Sequence, residues 1–158
     1  MKYLSLLLCC LLLAGCAGGS PTPTATATQP TEALTLYVPN EQADGFVKTT
    51  VSVQAITKEN VVEQLIASGV LADGTTVNTL EIDSSSGIRQ IKADFSAPFH
   101  QTLQAMGTSG EYVIIGSVVN TFLSAFDADE MLITVDGAVL ETGHSVYDQP
   151  LTFYPENP

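Results

Sequence analysis

A chain of 158 residues with five Lys and Arg against seventeen Asp and Glu, net charge −12, is repelled by nucleic-acid phosphates and by anionic lipid head groups. After Lys2 its cations are Lys48, Lys58, Arg89 and Lys92, too scattered to form a basic patch, so nucleic-acid binding is excluded. The acidity reads first as a source of solubility, with a divalent cation or a basic partner as the alternative.

The amino-terminal segment reads as an address rather than a fold element. Lys2 precedes an apolar run, Leu4 to Leu13, and the small residues Ala14 and Gly15 lead to Cys16. A basic start, a short apolar core and a small-residue exit make a secretory signal. About ten apolar residues fall short of the roughly twenty that span a bilayer. Leu13, Ala14, Gly15 and Cys16 together read as a lipobox, with Cys16 the lipidated first residue of the mature chain. Buried methylenes contribute about 0.8 kcal/mol each, so two or more acyl chains hold a protein on the membrane. An ordinary signal with an incidental cysteine is the alternative. Cys9 and Cys10 leave with residues 1–15, so the mature domain has no thiol for a disulfide, a metal or a nucleophile.

Residues 16–33 follow as a tether. The stretch AGGSPTPTATATQPTEA has no large apolar residue and cannot bury a core. Proline keeps such a segment extended at up to about 3.1 Å per residue, a reach of about 50 Å. Residues 34–158 are expected to form one domain.

Leu34 to Val38 alternates as a half-buried strand, and Pro39-Asn40 ends it. Val47 to Val53 alternates again. Thr57 is placed to cap a helix whose stripe is Val61, Val62, Leu65 and Ile66, with Gly69 as its stop. Val77 to Asp83 and Ile88 to Phe95 read as a hairpin around Ser84–Gly87, with Ile91, Ala93 and Phe95 inward. Ser96 and Pro98 open a short helix burying Phe99 and Leu103. Thr108 and Glu111 have capping-box spacing before an amphipathic helix carrying Ile115, Val118, Val119, Phe122 and Phe126. Met131 to Val135 is a central strand, Asp136-Gly137 a turn, Ala138 to Leu140 its return, and Leu151 to Tyr154 a last edge strand. This order predicts an α+β fold: a single mixed β-sheet with two or three helices packed mainly on one face.

Several of these segments together resemble the GerM family and its GerMN domain. They are Leu34 to Asn40, the helix to Leu71 with Asp73-Gly74-Thr75, Ala93-Asp94-Phe95-Ser96, Val118-Val119-Asn120-Thr121-Phe122, and Ile133-Thr134-Val135-Asp136-Gly137. Gly143-His144 and Gln149-Pro150-Leu151 match more loosely. The resemblance spans residues 34 to 154, room for one such domain. It implies a lipoprotein on the outer face of a Firmicute-type cell membrane, related to sporulation or germination, with a protein partner in the envelope.

Candidate sites are few. His100 and His144 are the two histidines, and Asp148 lies near His144, but no Gly-x-Ser-x-Gly elbow accompanies them. His144 reads as a residue that fixes its loop by bonding to backbone. Asp127, Asp129 and Glu130 are oxygen donors of the kind that hold Ca²⁺, but EF-hand spacing is absent and a solvated loop is the simpler reading. Asn120 reads as a structural polar residue bonding a neighbouring loop. No catalytic residue, metal site or cofactor is expected. The expected function is a lipid-anchored, extracytoplasmic, non-enzymatic interaction module attached to the cell membrane, with a lipoprotein binding cell-wall glycan or a small solute as the alternative.

Overall fold

The computed structural model describes residues 30–156. Leu13, Ala14, Gly15, Cys16 and most of the expected tether lie outside the described residues.

The longest helix, α3 (Thr108–Phe126), sits in the middle of the molecule. At 100° per residue, Ile115, Val118, Val119 and Phe122 share one face, and each is fully buried. Gly116, Ser117, Asn120 and Thr121 share the opposite face, and they are buried as well. The helix is therefore not amphipathic in the expected sense. Its polar-looking stripe is a second packing face, made of small and amide side chains that let backbone come close.

That second face receives a two-stranded antiparallel ribbon, β1 (Glu32–Pro39) and β2 (Phe46–Val53). Leu34 pairs across the ribbon with Val51, and Leu36 with Thr49. Leu34 and Leu36 enter the main core. Strand β1 starts at Glu32, two residues ahead of the expected domain boundary, and the Glu32 carboxylate accepts the Ile56 N–H at 2.7 Å.

The other face of α3 lies on a five-stranded sheet of order β3 (Val77–Asp83), β4 (Gln90–Phe95), β5 (Glu130–Val135), β6 (Ala138–Glu141) and β7 (Val146–Tyr147). Strands β4 and β5 are parallel and every other pair is antiparallel. The crossover between them carries α2 (Ala97–Gln104) and α3, as a parallel pair requires. The fold is mixed α+β as expected, but its strands divide into two sheets, because β1 spends its outer edge on α3 rather than on a third strand. Alternation in β1 and β2 specified an inner face and not which sheet would own it.

Ile91, Ala93, Phe95, Met131 and Ile133 line the covered face of the larger sheet. Phe95 stacks on Phe99 of α2 at 4.6 Å and meets Phe122 of α3 edge-on at 5.7 Å. Each such ring contributes about 1.5–3 kcal/mol by leaving water. Helix α1 (Lys58–Ala67) closes the core from the side with Val61, Val62 and Leu65. The Thr57 hydroxyl caps it by accepting the Asn60 N–H at 3.2 Å, and Gly69 ends it in the left-handed region at φ +77°.

Two local expectations change. The capping box at Thr108 and Glu111 does not form, because Gly107 is the N-cap. Glu111 points inward instead and is buried. Leu151 to Tyr154 does not make a strand: only Leu151 bridges, to Met131, and the last edge strand is instead Val146–Tyr147.

Candidate functional site

The side chains in the segments that resemble the GerM family make joints between distant pieces of chain. Asp94, on the open face of β4, accepts hydrogen bonds from the Thr134 hydroxyl and the Gly137 N–H, both 2.7 Å, and from the Asn78 amide at 2.9 Å. These donors, Thr134 first, hold its carboxyl below the ordinary aspartate range against a partial loss of solvation. The carboxylate thereby fixes the β5–β6 turn, where Asp136 and Gly137 both have positive φ, +48° and +78°. Ser96 does the same for the approach to β3, its hydroxyl accepting the Thr76 N–H at 2.9 Å.

Asn120 is fully buried on α3. Its amide donates to the Tyr154 carbonyl at 3.0 Å, and its carbonyl accepts the Tyr154 N–H at 2.8 Å. It thus behaves as a one-residue strand for the carboxy-terminal segment. Thr121 beside it accepts the Tyr37 N–H of β1 at 3.0 Å, in place of a neighbouring strand. Phe46 and Tyr154 fill the space over Gly116, where a Cβ would overlap the Phe46 ring.

The two histidines have separate backbone partners. His100 donates from Nε2 to the Glu141 carbonyl at 2.8 Å, and His144 from Nε2 to the Met106 carbonyl at 3.2 Å. Neither ring is hydrogen-bonded to a hydroxyl or a carboxylate among the described residues. The arrangement has no nucleophile, base and orienting acid in line.

The acidic cluster is also dispersed. Asp127 is the left-handed C-cap of α3, Asp129 accepts the Arg89 N–H at 2.7 Å, and Glu130 accepts the Gln90 amide at 2.6 Å. Among the described residues no three His, Cys, Asp or Glu side chains gather as a metal would need.

One buried polar group has no counterpart in the sequence reading. Glu111 is 2% exposed, and its Oε1 accepts from the Tyr147 phenol at 2.7 Å and the Thr142 hydroxyl at 2.9 Å. Its Oε2 has no partner among the described residues. Burial, and then the bond to Glu111, push the Tyr147 phenol well above the ordinary tyrosine value. The cluster ties the loop before β7 to the first turns of α3. Nothing in the sequence signalled it, since Glu111 had a simpler role at the helix start.

What remains open is an edge. Strand β3 has no neighbour on its outer side among the described residues. From Glu81 to Asp83 it is exposed on both faces, and Ile82 and Ile88 at the β3–β4 hairpin are apolar and exposed. No described helix is long and apolar enough to cross a membrane.

No curated protein matches the chain. Among solved structures it resembles the tandem GerMN domains of the sporulation protein GerM from Bacillus subtilis, with 15% identity over 87% of this chain and a TM-score of 0.57. The chain spans 51% of that tandem. It also resembles the first GerMN domain of the same protein, with 19% identity, 77% of this chain, 98% of the domain and a TM-score of 0.52. At such identity the likeness shows the fold. A family model covers residues 35–141, and the chain belongs to that family, Germane, described as sporulation and spore germination.

Proposed function

We propose that the protein is a lipid-anchored, extracytoplasmic interaction module of the cell envelope, without enzymatic activity, which serves sporulation or germination by presenting its domain to a protein partner. The observation that carries this reading is the contrast between the joints and the edge. The polar side chains of the family-like segments are consumed in holding the fold together, and the β3 edge is left unpaired beside exposed Ile82 and Ile88. An unpaired strand edge recruits an extended segment through backbone hydrogen bonds, with alternate side chains setting the choice. Lipid on Cys16 and an extended tether would hold that edge clear of the membrane.

A photo-crosslinking amino acid at Thr79, in living cells, tests the edge. The expected result is a discrete crosslinked protein that is absent when the probe sits at Ser124. Equal capture from both positions, or none, counts against the reading. Mass spectrometry of the mature amino terminus tests the anchor: acylated Cys16 is expected, and an unacylated, released chain would overturn it.

A further inference from the structure

Beside the β3 edge, α1 and the start of β3 enclose a groove of about 410 Å³. Val62, Ile66 and Val77 give it apolar walls, and Thr75 and Thr76 complete its lining. Glu59 and Glu63, one helical turn apart on α1, stand among its lining residues. Glu59 has only a 3.8 Å pairing with Lys58, whose ammonium is already held by the Val77 and Asn78 carbonyls, and Glu63 has no ion pair among the described residues.

We infer that this groove docks a segment of a partner protein in which an apolar side chain is flanked by lysine or arginine. This rests on the reading of the protein as an interaction module and names the chemistry of what it binds. Apolar walls take the apolar side chain, and the paired carboxylates take the cations. The charge pattern selects the occupant. The chain's own segment 17–33 contains no Lys or Arg, so it cannot answer Glu59 and Glu63. A second copy brings a net charge of −12 toward the same carboxylates.

The core lies between Leu34 and Leu140, so a chain starting at Ala17 carries all of it and serves for the test. The probe is a fluorescein-labelled hexapeptide, Lys-Leu-Lys-Val-Lys-Leu, followed by anisotropy at physiological ionic strength. Saturable binding is expected, at least about tenfold weaker in the Glu59→Lys, Glu63→Lys double variant and little changed in a control carrying Glu41→Lys with Asp73→Lys. Ile66→Ser, which leaves the charge alone, is expected to weaken binding as well, with thermal midpoints confirming that each variant is folded. No binding, equal binding of a lysine–serine peptide, or equal loss in the control variant would overturn the groove as a site, and so would dimerisation abolished by Ile66→Ser. If the peptide fails while Thr79 still crosslinks a discrete protein, the groove falls and the interaction module stands. If both fail, both fall.

Discussion

Asn120 on α3 and Tyr154 in the carboxy-terminal segment exchange two hydrogen bonds, one in each direction, between a fully buried amide and a backbone. The pair closes the molecule, because the segment it holds also covers Gly116 and reaches β2, where the Phe46 N–H donates to the Glu156 carbonyl at 3.0 Å.

Asn120→Ala removes both partners and leaves the Tyr154 N–H and carbonyl without them. A loss of about 2–4 kcal/mol is expected, since each of the two part-buried backbone groups left without a partner costs about 1–2 kcal/mol, the lower part of the range for stranded groups. Urea denaturation measures it. Hydrogen exchange at Tyr154 should quicken in this variant while exchange in β4 keeps its order of protection.

Gly116→Ala sets two effects against each other. Alanine gains about 1 kcal/mol of helix propensity over glycine. The added Cβ overlaps the Phe46 ring and comes within 3.1 Å of Tyr154 Cδ1. Phe46 is 4% exposed and cannot swing away freely. Overpacking of this kind costs about 1–3 kcal/mol, so the variant should be net destabilised. Stabilisation on chemical denaturation would mean that the ribbon is not seated on α3.

Asp94 has a depressed pKa in the fold, with the Thr134 hydroxyl the largest cause. A depressed carboxyl contributes stability that is present above its unfolded value, near 3.9, and is lost as pH falls through the folded value. The stability difference between the natural chain and Asp94→Asn should therefore be constant at neutral pH and shrink below about pH 4. Urea midpoints across that range give the measurement.

Tyr147 is pushed the other way, by burial first and by Glu111 second. A phenol raised above its unfolded value contributes stability below about pH 10 that disappears as pH rises through the folded value. Replacing it with phenylalanine should leave the amplitude of the native ultraviolet phenolate titration near pH 10 unchanged, because Tyr147 is not ionised there. Glu111 loses one of its two donors in that variant, and a loss of about 1–3 kcal/mol should follow.

Much of the fold was legible where local pattern and burial agree. The bounds of β3, the Thr57 cap, the inward Ile91, Ala93 and Phe95, and the Asp136-Gly137 turn follow from alternation, capping and turn chemistry. The misreadings share a physical cause. The sequence shows α3 only as an amphipathic helix, and Gly116, Ser117 and Thr121 carry no sign of burial, because small and polar side chains look the same whether they meet water or another backbone. The spacing of Thr108 and Glu111 fits a cap, but Gly107 takes the cap position and Glu111 finds its partners in Thr142 and Tyr147, 31 and 36 residues away. The partners of Asp94 and Asn120, up to 43 and 34 residues away, have no local signature. The structural role of Asn120 is legible beside the apolar stripe of α3, but that of Asp94 and the identity of both residues' partners are not.

Strand β1 has a mechanical consequence. It opens the described fold at Glu32, is paired with β2 along all eight of its positions, and is pinned to α3 through Thr121. A pull on the preceding residues along the strand axis would load those rungs together instead of peeling them in turn. Tension applied at the amino-terminal end of the described fold would then be borne by this ribbon before any of the central layers feels the strain.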